Sequence, residues 1–155
     1  MTPTLVTHER MSVLGIDVTT LNAAEADPEK ASIPKLWGRF YAEDMLSKIP
    51  RKKPPVLPLG VYTDYESDHN GRYRILAGAA VEEGTPVPDG LGSAVVPAGM
   101  YLIFRGEGQM PAVVVQTWMS VWRYFADPRG HVRAYTADFE RYSASDTVEV
   151  YIAVK

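Results

Sequence analysis

Apolar side chains recur at three- and four-residue steps in two stretches of the chain, which predicts two amphipathic helices. The first covers residues 32–49, where Ser32 can cap the N-terminus and Ile49-Pro50 ends the helix. The second begins near Pro111 and stops at Asp127-Pro128. Its apolar stripe consists of Val114, Trp118, Val121, Trp122 and Phe125.

Short runs rich in β-branched and aromatic residues predict strands around these helices. One or two strands are expected in residues 5–20, and a segment dense in glycine and proline, residues 83–90, divides the chain near its middle. The other strands are predicted at residues 59–66, 73–82, 91–97, 100–104, 132–142 and 147–154.

The order strand, strand, helix, strand, strand occurs twice, which indicates an internal duplication. The segment from Tyr62 to Glu66 also resembles the segment from Tyr135 to Glu140 with one insertion. We therefore predict pseudo-repeats at about residues 1–84 and 90–155. The expected fold is α+β, with two βαββ-type units forming a curved antiparallel sheet of about eight strands, two helices on one face and a central groove.

Length and composition narrow the classes of function. The 155 residues suit a single domain, and 16 basic against 19 acidic side chains give a net charge of -3, which argues against direct nucleic-acid binding by this chain alone. The absence of cysteine excludes thiolate chemistry, and the 3 histidines are too scattered to indicate a metal site. We expect no cofactor, no metal, no membrane segment and a cytoplasmic location.

Glu140 is the first residue with candidate chemistry, because it lies among Tyr135, Phe139 and Tyr142. A carboxylate between aromatic rings can neutralise a bound organic cation, or burial can raise its pKa for general acid or base catalysis. A third interpretation is an exposed strand glutamate paired with Arg133 or Arg141. The sequence leaves all three open.

Three tryptophans, Trp37, Trp118 and Trp122, lie on the apolar stripes of the two predicted helices. Each can be a core residue. Together with the aromatic residues of the strands, however, they exceed what a compact core requires, so part of this aromatic surface is expected to line a cavity. The strand residues concerned are Tyr62, Tyr65, Tyr73, Tyr101, Phe104 and Tyr135.

Five stretches in order give the chain a family resemblance over almost its whole length. They resemble the effector-binding domain of bacterial AraC/MerR-type regulators, also called the GyrI-like domain, and especially the stand-alone versions carried on integron gene cassettes. The stretches are IPKLW at 33–37, GVYTDYES at 60–67, VPAGMY at 96–101, WMSVW at 118–122, and DFERY at 138–142 followed by VEVYI at 148–152.

The resemblance implies a duplicated βαββ fold that recognises bulky, apolar, cationic molecules through aromatic walls and a buried glutamate. That glutamate falls on Glu140. We expect no helix-turn-helix segment in this chain, because helix 32–49 belongs to the fold, so control of transcription would require a regulator or other protein partner.

From these observations we predict a small-molecule binding module for hydrophobic cations, with no catalytic residues. The alternatives are a GyrI-like hydrolase using Glu140 with Tyr142 or Tyr135, and an inhibitor of the DNA gyrase type. Glu66 is the second candidate for the charged residue, because the internal match pairs it with Glu140. The predicted ligand-binding residues are Glu140, Trp37, Tyr65, Phe104, Trp118, Trp122, Tyr135 and Tyr142.

Overall fold

Eight strands and four helices follow one another in the computed structural model, which describes residues 2–155. Along the chain these are β1 (Thr4–His8), β2 (Met11–Thr20), α1 (Asn22–Glu25), α2 (Ile33–Ala42), α3 (Met45–Lys48), β3 (Leu59–Thr63), β4 (Tyr73–Val81), β5 (Gly92–Val96), β6 (Gly99–Glu107), α4 (Ala112–Ala126), β7 (Ala137–Ala144) and β8 (Thr147–Ala153). None of the helices within these residues is long and apolar enough to cross a membrane.

Three predicted elements are shorter than expected, and a residue with positive φ marks each break. The helix predicted over residues 32–49 is two helices, because Asp44 (φ 47°) turns the chain between α2 and the single turn α3. Asp64 (φ 53°) directly follows β3, and Tyr135 (φ 54°) precedes β7, so the strands predicted at 59–66 and 132–142 lose residues there. Left-handed backbone cannot continue a helix or a strand, and the apolar pattern does not record it.

All strands form one antiparallel sheet in the order β1-β6-β8-β7-β3-β4-β2-β5. This confirms the predicted α+β class and strand number, although the helices number four and two of them are single turns. If each strand is exchanged for the strand four places later or earlier in the sequence, the result is the same order read from the opposite edge of the sheet. The internal duplication stays a prediction, since Tyr62 lies within β3 whereas its sequence match Tyr135 lies outside β7.

Both long helices cover the same face of the sheet. Tyr62 pairs with Asp138, and Gly60 with Glu140, so these side chains share one face at the centre of the sheet. Tyr62 belongs to the core under α2, while Val150, the partner of Glu140 on β8, belongs to the core under α4. The central strands β3 and β7 therefore lie beneath the space between the helices.

The opposite face is buried without any helix, because the sheet curls around a second core. β1 forms one edge and β2 lies beside the other, yet only two residues connect them, so the two ends of the sheet approach within about 11 Å. Gly15 and Gly78 face each other where β2 and β4 come closest; a Cβ on either would lie 2.0 Å from a carbonyl oxygen of the other strand. The curl opens the helix-covered face outward and leaves a groove there.

Candidate functional site

A cavity of about 540 Å³ opens between α1, the start of α2, α4 and the centre of the sheet. Its size falls in the range of small-molecule sites, about 300–1,000 Å³. Aromatic and aliphatic side chains form most of its wall, and four polar residues interrupt them. The aromatic members are Tyr62, Tyr65, Tyr73, Trp118 and Trp122, the aliphatic ones include Ile33, Val114, Val115 and Met119, and the polar ones are Asn22, Glu25, His69 and Arg133.

Helix α4 supplies an exposed apolar wall of the cavity. Val115, Met119 and Trp122 lie three or four residues apart, line the cavity and are 58%, 47% and 44% exposed. Trp118, one turn before Trp122, turns inward and packs edge-on against Tyr62 with ring centroids 4.9 Å apart. The helix thus presents an apolar surface that a ligand can cover.

Glu140 lies behind this wall and is fully buried. One carboxylate oxygen accepts the Tyr62 hydroxyl, the other accepts the Tyr142 hydroxyl, and no cation contacts the carboxylate within residues 2–155. Gly60 makes room for it, because a Cβ there would lie 3.1 Å from the Glu140 Cγ. Burial raises the pKa of Glu140 above its ordinary value, and the hydrogen bonds from Tyr142 and Tyr62 oppose that rise.

The indole of Trp118 lies next to the same carboxylate. Its Nε1 is buried and, in the part of the chain that the structure describes, has no partner with the geometry of a hydrogen bond. The N–H nevertheless points close enough to Glu140 to lower the pKa of that carboxyl, because a donor dipole favours the ionised form.

Asp138, two residues before Glu140, is also fully buried but has a cation. Arg133 donates to Asp138 Oδ2 at 2.7 Å, Tyr65 donates to the same oxygen at 2.5 Å, and the Ala153 amide donates to Oδ1 at 2.8 Å. Burial and the Asp138 charge raise the pKa of Tyr65 well above its ordinary value, so its hydroxyl stays protonated and remains a donor. The charges of Arg133 and Asp138 therefore neutralise each other.

Three of the predicted ligand-binding residues, Tyr65, Trp118 and Trp122, line the cavity. Glu140 lies behind Tyr62 and Trp118.

The other four predicted residues do not line it. Trp37 and Tyr142 pack together at 5.3 Å, and Tyr142 reaches Glu140 from outside the cavity. Tyr135 packs against Tyr65 at 5.5 Å, beside the cavity wall. Phe104 is enclosed in the core under α4. Glu66, the second predicted acid, is exposed on a turn and accepts the backbone N–H of Arg72.

The sequence assigned no role to two charged residues of the site, Glu25 and Asp138. It offered Arg133 as a partner of an exposed Glu140, which is wrong, because Glu140 is buried and Arg133 pairs with Asp138. The spacing of Asp138 and Glu140 carries a signal, since two acids separated by Phe139 in an apolar strand place both carboxylates on one face. Glu25 had no such signal, because α1 is a single turn without apolar periodicity.

Comparisons with known proteins show the family and the fold of the chain. Residues 4–154 match the model of a family described as Cass2, the integron-associated effector binding protein. The chain is 36% identical to the integron cassette protein VCH_CASS2 from the mobile metagenome of Vibrio cholerae, with a TM-score of 0.86 over 99% of this chain and 96% of that one.

Two further proteins are similar over most of their length. The "Putative transcriptional regulator protein YobU" of Bacillus subtilis (strain 168) is 29% identical in an alignment of 148 residues that covers 91% of this chain and 90% of YobU. The structure of SAV2435 bound to tetraphenylphosphonium has a TM-score of 0.80 over 100% of this chain and 94% of that one, at 18% identity, and shows a shared fold.

Proposed function

Because the chain belongs to the family of integron-associated effector-binding proteins, we propose that it binds hydrophobic organic cations in the cavity beside Glu140. The observation that carries this proposal is the Glu140 carboxylate, which is fully buried without a cation and lies directly behind an aromatic wall. Burying an unpaired charge costs free energy, and a cationic ligand would recover that cost.

The aromatic wall favours the same class of ligand. The rings of Tyr62, Tyr65 and Trp118 offer negative faces and apolar area to a cation whose charge is spread over a large organic frame. Tyr62 also transmits the charge of Glu140, because a phenol that donates to a carboxylate becomes more electron-rich. A cation against Tyr62 would be attracted by the ring and by the carboxylate behind it.

Ligand charge can be tested with two ions of the same shape. Tetraphenylphosphonium, the ligand of the SAV2435 structure, and tetraphenylborate have the same tetrahedral frame and opposite charges. We expect titration calorimetry to detect binding of the phosphonium ion and a much weaker interaction with the borate. Equal affinities would show that shape alone selects the ligand, and the proposal would fail.

The role of Glu140 can be tested with Glu140→Gln, which keeps the side-chain size and removes the charge. We expect the phosphonium ion to lose about 1–3 kcal/mol of binding free energy, the contribution of a charge-assisted contact. The matched control is Glu66→Gln, which removes an exposed acid outside the cavity. Unchanged affinity in Glu140→Gln would contradict the proposed role.

We also propose that a partner protein recognises the ligand-bound form of this chain. The chain resembles a protein named as a transcriptional regulator, yet its net charge of -3 does not favour contacts with DNA phosphates. A mobility-shift assay with double-stranded DNA, with and without tetraphenylphosphonium, is expected to show no complex with this chain alone. A shifted band at moderate salt would mean that DNA is contacted directly.

A further inference from the structure

Three carboxylates surround the cavity, and their charges are balanced differently. Asp138 is paired with Arg133 inside the protein. Glu140 lies behind the wall and Glu25 lies in it, and neither has a basic side chain within 4 Å among residues 2–155. The charges of Arg133 and Asp138 cancel each other. Two negative charges at the cavity, those of Glu25 and Glu140, therefore have no counter-charge.

In the part of the chain that the structure describes, Glu25 is held in place by neutral donors only. Its carboxylate accepts the Thr20 hydroxyl at 2.6 Å and the first backbone amides near the start of α2, Ser32 at 2.9 Å and Ile33 at 3.0 Å. Three donors orient both oxygens, so the carboxylate is a fixed group and not a mobile surface side chain. Amide and hydroxyl dipoles lower the free-energy cost of burying this charge, but they do not supply a positive charge that would neutralise it.

Two aromatic rings separate the carboxylates. Glu140 accepts the Tyr62 hydroxyl. The Tyr73 ring follows, 5.7 Å from the Tyr62 ring, and its hydroxyl donates at 2.9 Å to Asn22 on the same single turn as Glu25. Burial, and then the charges of Glu25 and Glu140, raise the pKa of Tyr73, which agrees with a position between them. The cavity therefore has a negative group at each end of an aromatic floor.

We propose that the preferred ligands are aromatic dications, with one positive centre placed toward Glu140 and the second placed at Glu25. This inference rests on the proposed function, since it assigns a second charge contact to the same cavity. A monocation would leave one of the two carboxylates without a counter-charge, whereas a rigid ligand with charges at both ends would neutralise both.

The test compares two molecules with the same two-ring shape, methyl viologen, which is a dication, and 1-methyl-4-phenylpyridinium, which is a monocation. Dissociation constants are measured by titration calorimetry for the unaltered chain and for Glu25→Gln. We expect the dication to bind about tenfold tighter or more in the unaltered chain, and Glu25→Gln to remove most of that advantage. The ratio of the two constants is decisive, because a general disturbance of α2 affects both ligands alike.

Glu29→Gln is the matched control, since Glu29 is exposed in the loop between α1 and α2 and does not line the cavity. It removes the same charge from the same region and is expected to leave the ratio unchanged. A ratio that is close to one in the unaltered chain, or that falls equally in Glu29→Gln and Glu25→Gln, would overturn the dication proposal.

The two proposals fail in different ways. If 1-methyl-4-phenylpyridinium and tetraphenylphosphonium both bind independently of Glu140, the proposed function itself is wrong. If the monocations bind through Glu140 and the ratio is insensitive to Glu25, only the second charge contact is wrong.

Discussion

Strand β7 carries two fully buried carboxylates, Asp138 and Glu140, which point to the same face two residues apart and have opposite surroundings. Asp138 is paired with Arg133 at 2.7 Å and is bound by the amide of Ala153. Among residues 2–155, Glu140 accepts hydrogen bonds from the phenols of Tyr62 and Tyr142 and has no basic partner. The protein itself supplies the counter-charge of Asp138. It supplies none to Glu140, whose charge a ligand can neutralise.

The difference comes from what faces each residue. The segment before β7 places Arg133 in an isolated bridge with Val154, so its guanidinium lies beside Asp138, 4.4 Å from the centre of the Tyr135 ring. Opposite Glu140, β3 has Gly60, which provides space but no charge. Removing one partner of the Arg133–Asp138 pair would leave a buried charge uncompensated, whereas the proposed function assigns the counter-charge of Glu140 to a ligand.

The largest expected effect is on the paired side. Asp138→Asn leaves Arg133, which is 7% exposed, without a counter-charge, and we expect the free energy of unfolding to fall by about 3–5 kcal/mol. Urea unfolding followed by circular dichroism measures this loss. Adding Arg133→Met to Asp138→Asn should recover part of it. Equal losses in Glu140→Gln and Asp138→Asn would contradict the different charge balance of the two carboxylates.

The next effect is the pH dependence of stability. Burial raises the pKa of Glu140 in the folded state, so as pH rises the unfolded chain loses this proton first. The contribution of Glu140 to the free energy of unfolding should therefore fall between the ordinary glutamate pKa and the raised folded value, and stay constant above it. Glu140→Gln should lack this fall when urea unfolding is repeated from about pH 4 to about pH 8. Parallel pH profiles would contradict the unpaired state of Glu140.

A smaller effect is expected from Tyr142, which reaches Glu140 from outside the cavity. Tyr142→Phe removes a hydrogen bond that favours the ionised carboxylate, so the pKa of Glu140 rises further. We expect tetraphenylphosphonium to bind about 0.5–1.5 kcal/mol more weakly at mildly acidic pH, with recovery at higher pH. Tyr41→Phe is the control, because Tyr41 is 62% exposed. An equal loss in both variants would place the effect in general packing.

The smallest effect is expected at Glu66, the acid that the internal sequence match pairs with Glu140. Glu66→Gln should change both the free energy of unfolding and the affinity for tetraphenylphosphonium by less than about 0.5 kcal/mol, as at other exposed positions. A larger loss of affinity would move the site toward the turn that follows β3.

The sequence predicted most of the fold because its signals are local. The stripes of α2 and α4, the two apolar strands at the C-terminus and the proline-rich segment before β5 can each be recognised within a few residues. The breaks at Asp44, Asp64 and Tyr135 were missed, because positive φ at residues other than glycine leaves no periodic trace. The single turn α1 was missed, and Glu25 with it, because four residues are too few to show apolar periodicity.

For the site, the sequence by itself determined that a glutamate lies among aromatic residues on β7 and that tryptophans follow one side of α4. Only the tertiary structure decided which carboxylate is paired, since Glu140 meets Tyr62 across 78 residues of chain and Tyr73 meets Asn22 across 51. It also separated Trp118 and Trp122, which line the cavity, from Phe104 in the core. The physical reason is that periodicity fixes the face on which a side chain lies, whereas charge balance depends on which groups the folded sheet places opposite it.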